Sequence, residues 1–326
     1  MAVPTHEVAS LAIIIPAYKG SFLKQALESI SAQTNKDFAV YIGNDNSPED
    51  LETIIKEFEK DLPIQYQKFE KNIGKESLIK SWERCVALSH NESWIWLFAD
   101  DDEMSSECVE AFYKMNPRTE NVYRFNMTMK VDQEKLLEST KYPASEQPRE
   151  FLASRLAYRY DSAMSNVIFS RNSYEKFGGF VEFPLAWGSD DASILEFARF
   201  GLIVTIPAGN VSWRQSDQNI SANMTNDMLI AKFHAREQYL KWILSQKTSF
   251  FTDEKEAFST LQPWIFHGYE VELKQAPWTK KMTVLAGLGN IIGFRFYFFL
   301  AQTYGKRYFA FVKGAFKKVF VSNHAG

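Results

Sequence analysis

Cysteine is almost missing from the 326 residues: Cys85 and Cys108 are the only two, and both fall in stretches of helical periodicity. Two thiols cannot build a disulfide framework, so a reducing compartment is expected and each reads as buried packing. Histidine is scarce as well. His6, His90, His234, His267 and His324 show no H-x-x-x-H spacing and no cysteine partners, which argues against a zinc site. No G-x-G-x-x-G follows the first apolar run, and G-x-x-x-x-G-K-[ST] and G-x-S-x-G are absent. A dinucleotide fingerprint, a P-loop and a nucleophile elbow are thereby set aside. A secretory leader is not read either: the first apolar run, Leu11 to Ile15, is too short and has no basic segment before it. The expected location is the cytoplasm.

Charge of one sign is also lacking overall, with 37 Lys and Arg against 40 Asp and Glu and a net charge of −3. That balance excludes a general nucleic-acid binder, so no nucleic-acid partner is expected. The average hides a split. From Leu273 to Gly326 there are nine basic residues and no acidic one, so an acidic body carries a basic tail.

What is present is a globular composition, 45% hydrophobic and 24% charged, with a high aromatic share of 15%. The length suits one large α/β domain and something smaller. Short apolar runs alternate with helical periodicity over the first hundred residues, the pattern of βαβ units and a mostly parallel sheet. Strands are expected at Leu11–Ile15, ending at Pro16, and at Phe38–Gly43, Ile64–Phe69 and Trp94–Phe98. Between them lie helices capped by Ser21 and by a Ser47-Pro48-Glu49-Asp50 capping box, and a helix over Lys75–Leu88. Further strands are expected at Val122–Thr128, Ala163–Phe169 and Leu202–Ile206. Helices are expected from near Arg149, up to Gly178-Gly179 and over Asp190–Phe200, and Asn226 to Gln275 reads as largely helical. The organisation expected is a main α/β domain over 1–225, a helical extension over 226–272 and the basic, aromatic-rich segment 273–326.

In open α/β sheets ligands bind at the carboxyl ends of the strands. Pro16-Ala17-Tyr18, Asn44-Asp45-Asn46 and Asp100-Asp101-Asp102 all stand at such ends and could converge on one crevice. Three successive carboxylates after a buried strand raise one another's pKa unless a cation neutralises them, and Mg²⁺ or Mn²⁺ is usually held by one or two carboxylates plus substrate phosphates. The bland alternative is a solvated acidic loop or helix start. Asp45 could accept from a base N–H or a ribose hydroxyl, or simply form a turn. Asp190-Asp191 opens a helix, where it complements the dipole or serves as a general base beside aromatic walls.

Taken in order, Ile13-Ile14-Ile15-Pro16-Ala17-Tyr18-Lys19, Asn44-Asp45-Asn46-Ser47, Asn72-Ile73-Gly74, Ala99-Asp100-Asp101-Asp102 and Asp190-Asp191 resemble the family 2 glycosyltransferases. The resemblance covers roughly residues 11 to 221. It implies an inverting enzyme of the GT-A fold, with a Rossmann-like, mostly parallel sheet flanked by helices, acting on a nucleotide sugar. By the same resemblance Pro16, Ala17 and Tyr18 pack against the base and Asp45 reads uracil or ribose. Asp102 is the metal-binding end of a D-x-D motif, Asp100 its first carboxylate, and Asp101 lies near the donor sugar. Asp191 matches the catalytic base, with Trp187 and Asp190 on the acceptor side, and Arg214 approaches the diphosphate. Asn44 stands where many members have Asp, and Asp190 replaces Glu. Ile79-Lys80 occupies the place of a common Arg-Asn pair, so Lys75 or Lys80 is expected to supply the missing positive charge.

The tail is the most apolar stretch, over Met282–Ala301, followed by Lys306 to Phe320 with Phe309, Val312, Phe316 and Phe320 along one face. Asn290 and Arg295 make it a poor spanning helix. A basic amphipathic segment suits an anionic membrane surface, and a lipid-linked acceptor would explain it; packing against the domain is the alternative. The combined reading is transfer of one sugar, from a donor expected to be UDP-linked, to a glycan or lipid-linked acceptor in bacterial surface-polysaccharide assembly. Its rivals are a sugar-phosphate nucleotidyltransferase and a non-catalytic, membrane-associated binding protein of the same fold.

Overall fold

The computed structural model describes residues 10–131, 135–136, 140–215 and 225–253, and parts of 256–267. The basic segment 273–326 lies outside the described residues, as does much of the expected extension beyond 253. No helix among the described residues is long and apolar enough to cross a membrane.

One mixed sheet organises the chain. Its first half is β1 (Leu11–Ala17), β2 (Ala39–Asn44), β3 (Ile64–Lys68) and β4 (Trp94–Leu97), arranged β3-β2-β1-β4 with all pairings parallel. Crossover helices α1 (Leu23–Ser31), α2 (Leu51–Lys56) and α3 (Leu78–Val86) connect these strands. Apolar runs buried on both faces are what such a sheet requires, and residues 11–15 and 94–97 are buried throughout. The second half is β6 (Val122–Val131), β9 (Val167–Ser170) and β10 (Ile203–Gln215), with β9 inserted antiparallel between β4 and β6. β10 runs parallel to β6 and carries the short strands β5 (Glu103–Met104) and β8 (Ser145–Glu146); β7 (Lys135–Leu136) pairs with β6. The remaining helices are α4 (Cys108–Lys114), α5 (Pro148–Leu156), α6 (Arg171–Lys176), α7 (Ser189–Phe197), α8 (Asn226–Ser245) and α9 (Lys247–Phe250).

The core is aromatic where the halves meet. Trp96 is fully buried, stacks on Phe125 at 5.1 Å between centroids, and donates from its indole to the Ser165 carbonyl at 2.7 Å. Burying such a ring contributes about 5 kcal/mol. Cys85 and Cys108 are buried free thiols, their pKa values pushed by burial to about 12 and about 11, which makes them poor nucleophiles.

Several boundaries differ from the sequence reading for local reasons. β1 continues through Pro16 to Ala17. Ile14 and Pro16 both face β4, whose pairing with β1 stops at Ile14 and Leu97, so no ladder bond is lost at the proline. Ser21 does not cap α1; the Phe22 carbonyl accepts from the Ala26 N–H instead. Ser47 does not cap α2, because its hydroxyl donates to the Tyr18 carbonyl at 2.6 Å, and Asp50 caps by accepting from the Thr53 N–H at 3.2 Å. The largest difference is β10, which runs on to Gln215 after a bulge between Ile206 and Asn210. Pro207 and Gly209 break the apolar alternation there, and Gly209 takes φ 85°. Arg214 therefore lies within the last strand, not after it.

Candidate active site

Parallel pairing of β1, β2 and β4 brings their carboxyl ends side by side, with the Asp45 N–H donating to the Ala17 carbonyl at 2.9 Å. Pro16-Ala17-Tyr18, Asp45 and the Asp100–Asp102 run thus meet at the carboxyl ends of these interior strands. Tyr18 is 41% exposed, while its N–H and that of Lys19 donate to Asp100 Oδ2 at 2.8 and 2.9 Å. Asp100 is thereby committed to shaping the β1 loop. Burial and Asp101 push its pKa up to about 6.

Asp102 is 1% exposed. Its Oδ1 accepts from the Arg214 N–H at 2.8 Å, while its buried Oδ2 has no hydrogen-bond partner among the described residues. Burial first, then Asp101, raise its pKa to about 8, against lowering by Ser165 and the Arg214 N–H. A buried carboxylate with one oxygen unsatisfied is costly unless something cationic completes it. Among the described residues no group of three or more His, Cys, Asp and Glu could hold a metal unaided. Asp102 therefore fits a cation that takes its other ligands from a bound phosphate.

Arg214 is itself buried, with Nε donating to the Asp101 carbonyl at 2.9 Å and Nη2 to Glu103 at 2.5 Å, above the Phe22 ring. Its guanidinium braces the acidic loop from beneath.

Asp45 is saturated differently from the expectation of a base reader. Its two carboxylate oxygens accept from the Ile73 and Gly74 N–H groups at 2.9 and 2.8 Å, and Arg84 closes an ion pair on the same carboxylate. The Asn44–Ser47 segment forms the turn, with Asn46 at φ 53°. Lys75 and Lys80 are exposed, so the cation at this end is Arg84, one helical turn beyond Lys80, stacked 3.9 Å over Phe69. Sequence reading missed Arg84; the signal present was an arginine on α3, the helix that follows Asn72-Ile73-Gly74. Gly74 has no room for a side chain, since a Cβ would come within 2.4 Å of Asp45 Oδ2. Gly74→Ala is expected to lower the melting temperature and weaken nucleotide binding together, with a stability loss of about 1–3 kcal/mol read from denaturant midpoints.

A hydrogen bond from Ser77 at the start of α3 to Glu182, 2.6 Å, ties this end to the loop before α7. That loop turns tightly, with Leu185, Ala186 and Gly188 all at positive φ, and Tyr239 of α8 fills the space beside Gly188. Asp190 and Asp191 follow in the first turn of α7. Asp191 is buried, and its two oxygens lie 2.8 and 3.1 Å from Arg155 Nε. Burial first, then Asp191, raise the pKa of Asp190 to about 7, while Arg155 opposes the rise. Trp187 has the ammonium of Lys232 4.9 Å from its ring.

The parallel half-sheet with an inserted antiparallel strand, and acidic residues after β4, give the arrangement of a GT-A fold. Residues 12–139 match the family model described as glycosyl transferase family 2. The match is shorter than the 11 to 221 read from the motifs, and Asp190, Asp191 and Arg214 lie beyond it. An "Uncharacterized glycosyltransferase" of Rickettsia bellii (strain RML369-C) is 30% identical over 134 residues, 40% of this chain. The chain spans 19% of that relative's length. Among solved structures, S. aureus TarS 1-349 in complex with UDP-GlcNAc has a TM-score of 0.65 at 14% identity, covering 86% of this chain and 80% of that one. TarS 1-349 without a named ligand gives a TM-score of 0.61 at 13% identity over the same shares. These establish the GT-A fold.

Proposed function

We propose that the chain is an inverting glycosyltransferase that moves a sugar from a UDP-linked donor to a hydroxyl of a glycan or lipid-linked acceptor, in bacterial surface-polysaccharide assembly. The observation that carries this reading is Asp102, buried after β4 with one oxygen unsatisfied, inside a family 2 domain. The complex of the structurally similar S. aureus TarS 1-349 with UDP-GlcNAc supports a UDP-sugar donor.

In the reaction an acceptor oxygen attacks the anomeric carbon as the bond from that carbon to the diphosphate breaks, so configuration inverts in one displacement. Asp191 takes the proton of the attacking hydroxyl, and UDP leaves with the bonding pair. Tyr18 and the loop from Pro16 and Ala17 pack against the base, while Asp45 with Arg84 holds the Asn72–Gly74 turn that borders it. Asp101 faces the donor sugar; Trp187 and Asp190 line the acceptor side. Asp102 would hold Mn²⁺ or Mg²⁺, whose charge stabilises the departing diphosphate.

The test is release of free nucleoside diphosphate from a panel of UDP- and GDP-sugars with Mn²⁺, with and without lipid-linked acceptors. UDP release and an inverted glycoside product are expected. Pyrophosphate release from a sugar phosphate and a nucleoside triphosphate would favour the nucleotidyltransferase instead. Binding without turnover in the presence of acceptors would favour the non-catalytic protein.

A further inference from the structure

The sequence singled out Asp190 and Asp191 but offered no reason why two adjacent carboxylates should stand together at the start of one helix. The structure brings three elements to them. α5 contributes Arg155, α7 the pair itself, and α8 Tyr239, whose hydroxyl is buried without a hydrogen-bond partner among the described residues.

Arg155 differs from an incidental ion pair in how it is anchored. Its Nε reaches both oxygens of Asp191, at 2.8 and 3.1 Å, and its Nη1 donates to the Tyr160 carbonyl at 2.5 Å. Tyr160 is itself held, its hydroxyl donating to Glu146 at 2.6 Å and its ring lying edge-on to Tyr142 at 5.0 Å. Glu146 pairs in turn with the buried Arg124 at 2.5 Å. The guanidinium is thus fixed at both ends, by a rigid polar cluster on one side and the carboxylate on the other. A planar, doubly anchored arginine sets the direction of its partner, which a lysine on a flexible stem does not. Its charge also opposes the upward push that burial and Asp191 exert on Asp190.

We infer that Arg155 is the positioning residue of the proton-accepting carboxylate: it orients Asp191 toward the acceptor hydroxyl and supplies the charge that lets the Asp190–Asp191 pair coexist. This rests on Asp191 being the base. In this role Arg155 acts through Asp191.

The test uses the full chain with Arg155→Gln, Arg155→Lys, Asp191→Asn and the double variant Arg155→Gln/Asp191→Asn, each checked for melting temperature and UDP binding. Arg155→Gln is expected to lower kcat about tenfold to a hundredfold, the usual loss when a partner behind a reacting group is removed, with donor KM unchanged. The groups facing Asp190 are Asp191, Arg155 and Tyr239. Loss of the Arg155 cation alone should therefore move the acid limb of the pH profile upward, whereas Arg155→Lys keeps the limb but not the rate. In the Asp191→Asn background Arg155→Gln should cost nothing further, because its route to the reaction is gone. Removing both partners of the buried pair also guards against misfolding from a stranded charge.

If Arg155→Gln keeps wild-type kcat and pH profile, or costs as much in the Asp191→Asn background as alone, the inference fails while the base reading stands. If Asp191→Asn retains full turnover, the base reading fails, and the inference with it.

Discussion

Asp102→Asn is expected to cut turnover by roughly a thousandfold and to abolish Mn²⁺-dependent UDP binding, the loss that follows when several kcal/mol of charge stabilisation on a leaving group disappear. The argument starts from shape. Asparagine is nearly isosteric, and its carbonyl can still accept from the Arg214 N–H that now bonds Asp102 Oδ1. What changes is Oδ2, the buried oxygen that no described residue satisfies. The amide puts a neutral donor where an anion stood, so a cation loses its ligand while the loop keeps its frame. Titration calorimetry with UDP, with and without Mn²⁺, reads the binding; a product assay reads the rate. Asp100→Asn is the informative control, because Asp100 Oδ2 holds the Tyr18 and Lys19 N–H groups. Its effect should fall on nucleotide affinity through the β1 loop more than on the metal dependence. Metal-dependent UDP binding of wild-type strength in Asp102→Asn would remove Asp102 from the cation site.

The second large effect is expected from Asp191→Asn, a fall in kcat of about 10²–10⁴-fold with donor binding unchanged, since general base catalysis contributes on that order. Asp191 is buried at the start of α7, and in the proposed reaction its loss touches the step in which the hydroxyl is deprotonated. A separation of kcat from donor affinity is the signature of a group used only in the transition state. UDP-sugar affinity can be measured by titration on the same preparations. If affinity and rate fall together, Asp191 is part of the donor site.

Much of this was legible in the residues alone. Leu11–Ile15 and Trp94–Leu97 are apolar on both faces, as a covered parallel strand requires, so these strands and the placement of the Asp runs at strand ends could be read directly, while the spatial order β3-β2-β1-β4 could not. The second half of the sheet was harder. β10 pairs along β6 on both sides of a bulge, and a bulge interrupts the period on which strand reading depends, so Arg214 looked like a loop residue. Helix starts were misjudged where Ser21 and Ser47 stood near the right place, because a capping serine and a serine bonded to a distant carbonyl have the same local sequence.

Residue order alone requires an α/β sheet with carboxylates at its strand ends and a second acidic pair opening a later helix. Those follow from periodicity and from the chemistry of residue types, which are local properties. Only the tertiary structure decided which partner each carboxylate keeps: Asp45 with the 73–74 backbone and Arg84, Asp100 with the β1 loop, Asp102 with one oxygen left over, Asp191 with Arg155. Ion pairs and hydrogen bonds between residues 36, 39 or 112 positions apart depend on how helices and strands pack, and no spacing rule carries that information.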